Sequence, residues 1–74
     1  VQYELPQNSY VDITIYNIIG NVVNNLVNTN QSSGHKSIKW NATNNQGEPV
    51  SAGLYLYTIK AGDFIQTKKM VLLK

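Results

Sequence analysis

Val11-Asp12-Ile13-Thr14-Ile15-Tyr16 is the stretch that decides the fold. Apolar Val11, Ile13 and Ile15 alternate with Asp12, Thr14 and Tyr16. Successive side chains of a strand point to opposite faces, so this spacing makes one apolar face and one polar face. A helix would need apolar residues three and four apart, and no segment keeps that period for long. The same period of two recurs on either side.

Toward the N-terminus, Gln2 to Leu5 reads as a short edge-like strand. Pro6 stops it, because proline cannot donate to a ladder, and Gln7, Asn8 and Ser9 make a polar turn. Toward the C-terminus, Asn17 to Asn21 is a turn around Gly20. Val22 to Asn28 is the next strand, with Val23, Leu26 and Val27 as candidate core residues. Its imperfect alternation predicts a bulge or an edge position. Asn30 to Gly34 is a loop, and Lys36 to Asn41 is expected as a strand with Ile38 and Trp40 on one face. Trp40 is then expected to be mostly buried against Ile38 and the face carrying Tyr57 and Ile59. Ala42 to Pro49 is the longest loop. Leu54 to Ala61 is a strand with Tyr55, Tyr57, Ile59 and Ala61 on one face. Gly62-Asp63 is a two-residue hairpin turn, with glycine supplying a positive φ. Phe64 to Leu73 closes the chain as a strand, with Met70 and Leu72 expected to be buried.

Short strands separated by turn residues at intervals of about 8–12 residues argue for a sandwich. The expectation is an all-β, immunoglobulin-like antiparallel β-sandwich of about seven strands, forming a single domain over residues 1–74. A domain of this size buries only about 60% of the surface its unfolded chain exposes, which leaves little room for a deep catalytic cavity. The opening Val1-Gln2 carries no initiator methionine and no signal peptide, so a piece of a longer protein is expected.

Composition narrows the function. The charged fraction is 14%, against about 25% in a typical domain, and Asn, Gln, Ser and Thr supply the polar surface instead. Electrostatic steering of a partner is therefore expected to be weak. A net charge of +2 without a concentration of Lys and Arg argues against nucleic-acid binding. There is no cysteine, which removes a disulfide framework, a thiolate metal site and a thiol nucleophile.

The chemistry-bearing residues are few and dispersed. Glu4, Asp12, Glu48 and Asp63 are well separated, and no spacing sets up a carboxylate pair for glycoside hydrolysis. His35 is the single histidine, too little for zinc, which takes three or four protein ligands. No nucleophile-elbow pattern surrounds a serine, and no glycine pattern cradles a phosphate. Trp40, Tyr55 and Tyr57 could form a stacking platform for sugars, but each shares parity with aliphatic residues, which favours the core. Lys68 and Lys69 are adjacent in a strand and so point to opposite faces. The expectation is no catalysis, no cofactor, no metal and no small-molecule substrate; the exception the residues offer is weak calcium at loop carbonyls and Asp63.

Several segments together resemble a known pattern. They are Tyr3-Glu4-Leu5-Pro6, Val11 to Asn17, Gly34 to Asn41 with its Trp40-Asn41 step, Asn45-Gln46-Gly47, Val50-Ser51-Ala52-Gly53-Leu54-Tyr55, and the terminal Lys68-Lys69-Met70-Val71-Leu72-Leu73-Lys74. The chain resembles the type IX (Por) secretion C-terminal sorting domain, and equally the Ig-like domain of the flagellar hook-capping protein. Trp40-Asn41 and the Gly47-to-Tyr55 segment are similar to the hook-capping pattern, and the terminal lysine-flanked run is similar to the end of a sorting domain. The first resemblance implies a signal that takes a covalently attached cargo through the outer-membrane machinery of a Gram-negative bacterium to the cell surface or exterior. It implies recognition through Gly53, Tyr55, Lys68, Lys69, Met70, Val71, Leu72 and Lys74. The second implies a structural spacer or assembly module. A carbohydrate-binding or adhesive module is a third reading.

Overall fold

Ser9–Asn17 forms a strand hydrogen-bonded on both sides, and its Val11, Ile13 and Ile15 are completely buried. The computed structural model describes residues 1–73. Its strands are β1 (Gln2–Leu5), β2 (Ser9–Asn17), β3 (Val22–Gln31), β4 (Gly34–Ser37), β5 (Gly53–Ala61) and β6 (Phe64–Leu72). All pairings are antiparallel. β1 and β4 make a two-stranded sheet, and the other strands make a four-stranded sheet in the order β3-β2-β5-β6. The fold is an all-β, Ig-like sandwich. Six strands stand among the described residues, where about seven were expected.

The core lies between the sheets where β2 runs. Leu5, Val11, Ile13, Val27 and Ile59 form its buried cluster, with Tyr3, Leu26, Ile38 and Tyr57 packed around it. Each β2 residue of the apolar face meets an apolar partner on β5: Ile13 stands opposite Ile59, and Ile15 opposite Tyr57. Cross-strand pairs of this kind are the unit in which a sheet gains stability. The imperfect alternation of β3 reflects both of its expected causes. β3 is an edge strand, and its register against β2 shifts twice, past Leu26 and past Val23.

The segment after Ser37 departs from expectation. β4 ends at Ser37, and Lys39, Trp40 and Asn41 lie outside any strand. Val1 and Ile38 exchange hydrogen bonds of 2.8 and 2.9 Å beyond the β1–β4 pairs. The physical reason for the departure is the turn that follows, held by the Trp40 indole N–H, which donates to the Thr43 carbonyl at 2.8 Å. Trp40 nevertheless buries the larger part of its surface, as expected, and its ring meets Tyr55, which shares the face of Tyr57 and Ile59 on β5. Met70 and Leu72 are half-buried, because β6 lies at the margin of the larger sheet.

Candidate functional site

The four-stranded sheet has two edges, and the chain treats them differently. The β3 edge is covered at its start, Val23 to Asn25, by the loop that follows Trp40. Asn45 donates its backbone N–H to the Val23 carbonyl at 3.1 Å and accepts the Asn25 N–H on its side-chain oxygen at 3.1 Å. The Asn24 side-chain amide donates to the Thr43 carbonyl at 2.8 Å. The loop holds its own shape through Asn44, whose side-chain oxygen accepts the Gln46 and Glu48 N–H groups at 3.0 and 2.9 Å. Asparagine suits this work because its short amide mimics a backbone turn.

The β6 edge has no such cover among the described residues. β6 is held by β5 along its length, from Phe64 opposite Ala61 to Leu72 opposite Gly53. The connection is tight: Gly62 takes φ 59° while Asp63 keeps a negative φ, the φ pattern of a hairpin turn with glycine first. Residues directly opposite in a sheet point to the same side. Gln66 stands opposite buried Ile59 and Met70 opposite buried Tyr55, so the even-numbered residues of β6 face the core side. Ile65, Thr67, Lys69 and Val71 face outward.

Neither face of β6 is well covered. Phe64, Gln66 and Lys68 are exposed on the core side, and all four outward residues are exposed. Ile65 and Val71 expose 63% and 65% of their surface, so β6 ends in two bare aliphatic side chains with Lys68 and Lys69 between them. The two lysines point to opposite sides, since Lys68 stands opposite Tyr57 and Lys69 opposite Leu56. Among the described residues, neither pairs with a carboxylate.

Of the residues expected to be recognised, the register places Gly53 against Leu72 and Tyr55 against Met70. Gly53 takes φ 146°, a backbone conformation that side chains rarely adopt, and opens β5 there. Tyr55 belongs to the interior: its hydroxyl donates to the Ser51 carbonyl at 2.7 Å. Lys68, Lys69 and Val71 stand on the surface, and Lys74 lies outside the described residues.

The remaining polar groups serve structure or solvent. Asp12 accepts from Thr14 at 2.7 Å and from the Asn25 amide at 2.9 Å. His35 approaches Glu4 at 3.6 Å with both side chains exposed, a geometry that contributes little to stability. Glu4 and Asp63 line one cleft of about 300 Å³ with Leu5, Pro6 and Phe64. Among the described residues, no group of three or more His, Asp or Glu stands together. Trp40 and Tyr55 meet edge-on at an interplanar angle of 72°.

A family model of the FlgD Ig-like domain matches residues 1–63. The chain belongs to the FlgD Ig-like domain family. Of the two resemblances drawn from the sequence, the match falls on the hook-capping one. It takes in β1 to β5 and the Gly62-Asp63 turn, and β6 follows directly after it. In this FlgD Ig-like domain the matched residues thus supply the core, and the strand beyond them supplies the bare edge. Comparisons with curated proteins and with solved structures gave no match.

The sequence signal for the bare edge was present but indirect. Phe64, Gln66, Lys68, Met70 and Leu72 alternate with Ile65, Thr67, Lys69, Val71 and Leu73, so each face mixes apolar with polar residues. A strand without one apolar face has no side to bury, and a sheet margin is where it can stand. The cover over β3 had no local signal, because it joins residues twenty positions apart.

Proposed function

We propose that the chain is a non-catalytic structural Ig-like module of a longer protein, and that it engages its surroundings through β6. The bare margin of β6 carries this reading: two exposed aliphatic residues flank two exposed lysines on a strand whose outer edge is free among the described residues. Native sheets usually blunt, cover or pair such an edge. The module covers the start of its β3 edge with a loop, while β6 has only its lysines. Membership in the FlgD Ig-like domain family supports the structural role.

A second reading is favoured by one observation. β6, with Lys68 and Lys69, follows the family-matched residues and resembles the end of a sorting domain. On this reading β6 is read by type IX secretion machinery at the outer membrane, and the attached cargo reaches the cell surface or exterior.

One experiment tests both. The longer protein is produced in its own cells with Lys68→Glu and Lys69→Glu, and its location and assembly are followed by fractionation and cross-linking. An assembly module predicts normal location with lost cross-links. A sorting signal predicts retention inside the cell. Wild-type location with wild-type cross-links would refute β6 as the engaged element.

A further inference from the structure

Starting from the reading of β6 as the engaged element, we infer that its open edge is completed by an extended strand of another protein, with carboxylates at its centre and aliphatic residues at its ends. The inference deepens that reading by stating the chemistry of the partner.

The backbone supplies the first argument. β6 is paired on one side only, so alternate N–H and C=O groups along Phe64–Leu72 point away from β5 with no partner among the described residues. Such a row is a template for strand addition, where main-chain bonds give affinity and side chains give selectivity. The β3 edge is interrupted as a template at its start, where Asn45 occupies the Val23 carbonyl and the Asn25 N–H.

The side chains supply the second. Ile65 and Val71 are six positions apart, about 20 Å along a strand, and both face outward. Lys68 and Lys69 sit between them on opposite faces, without a carboxylate within reach among the described residues. A strand laid along β6 meets an apolar residue, then two ammonium groups, then an apolar residue. The complementary segment is aliphatic, then acidic at two successive positions, then aliphatic. Its successive carboxylates point to opposite faces, as the two lysines do.

Charge also disfavours the two most central registers of pairing with a second copy of this chain. Antiparallel pairing of β6 with itself centred on Lys68 puts Lys68 opposite Lys68. Centred between the lysines, it puts Lys68 opposite Lys69 twice. Like charges directly opposite destabilise a sheet, so these two registers work against self-pairing.

The test uses the 74-residue chain and a blocked peptide, Val-Thr-Glu-Glu-Thr-Thr-Val, written for antiparallel pairing with Val71 to Ile65. Binding is followed by fluorescence anisotropy and by amide chemical shifts. The expected result is saturable binding with shifts centred on β6. Affinity should fall at least tenfold when both Glu are replaced by Lys. The double variant Lys68→Glu, Lys69→Glu should reverse the preference and bind the Lys peptide better. Absence of saturable binding, equal affinity for the two peptides, or shifts confined to the β3 edge would each overturn the inference. So would β6 shifts that grow with protein concentration without peptide, which would identify a second copy as the occupant. A chain that fails with peptide while the cell experiment still implicates Lys68 and Lys69 would overturn this inference and leave the proposed function standing.

Discussion

The Trp40 indole stands edge-on to the Tyr55 ring, with centroids 5.2 Å apart and planes at 72°. This pair ties the irregular segment after β4 to the start of β5, and each partner is fixed a second time. Trp40 donates to the Thr43 carbonyl, and the Tyr55 hydroxyl donates to the Ser51 carbonyl. A double-mutant cycle with Trp40→Ala and Tyr55→Leu should give a coupling of about 0.5–1.5 kcal/mol, the range for aromatic pairs. Denaturant unfolding of the four proteins checks it; additive losses would show that the rings merely lie near one another.

Ala42 takes φ 62°, the one positive φ among the described non-glycine residues. It lies between the Trp40 contact and the rung in which the Val50 N–H donates to the Ala42 carbonyl at 3.0 Å. The left-handed conformation costs an L-residue about 1–2 kcal/mol. Glycine removes that strain but loses about 0.4–1 kcal/mol through its freer unfolded chain. Ala42→Gly should therefore stabilise the domain by about 0.5–1 kcal/mol. A lower thermal midpoint for the variant would contradict the conformation described at this position.

Ile13 is completely buried between Val27 on one side and Ile59 on the other. Ile13→Ala should cost about 2–5 kcal/mol. A domain this small has only about 5–10 kcal/mol in total, so the variant should lose a large share of its stability and unfold at a much lower urea concentration. Urea titration followed by circular dichroism measures the loss.

Charge reversal at Lys68 and Lys69 should behave oppositely. Both side chains are exposed and neither pairs with a carboxylate among the described residues. Surface changes of this kind usually shift stability by no more than about 0.5 kcal/mol. The thermal midpoint should hold, so a defect of the variant in cells would report on recognition. A large fall in the midpoint would show that the lysines support the fold itself.

What the sequence made legible, and what it hid, follows from the range of the forces involved. Val11, Ile13 and Ile15 could be read directly, because alternation over five residues is a local signal of a buried face. The Gly62-Asp63 turn was legible for the same reason. Trp40 was placed in a strand that does not reach it: parity with Ile38 matters only while the strand continues, and β4 ends at Ser37, where the turn held by the Trp40–Thr43 hydrogen bond takes over. The lysines of β6 were legible as a pair on opposite faces. The openness of their edge was legible only indirectly, from the mixed faces of the strand, and the Asn45 loop at the other edge left no local signal.

Amide hydrogen exchange of the 74-residue chain tests the difference between the two edges most directly. The Asn25 N–H, held by Asn45, should be protected, and along Phe64–Leu72 protection should alternate. Amides directed at β5 should exchange slowly, and those directed away from it should exchange at rates near those of an unfolded chain. Uniform protection along β6 would contradict the account, because the edge would then already be covered and no strand could be added to it.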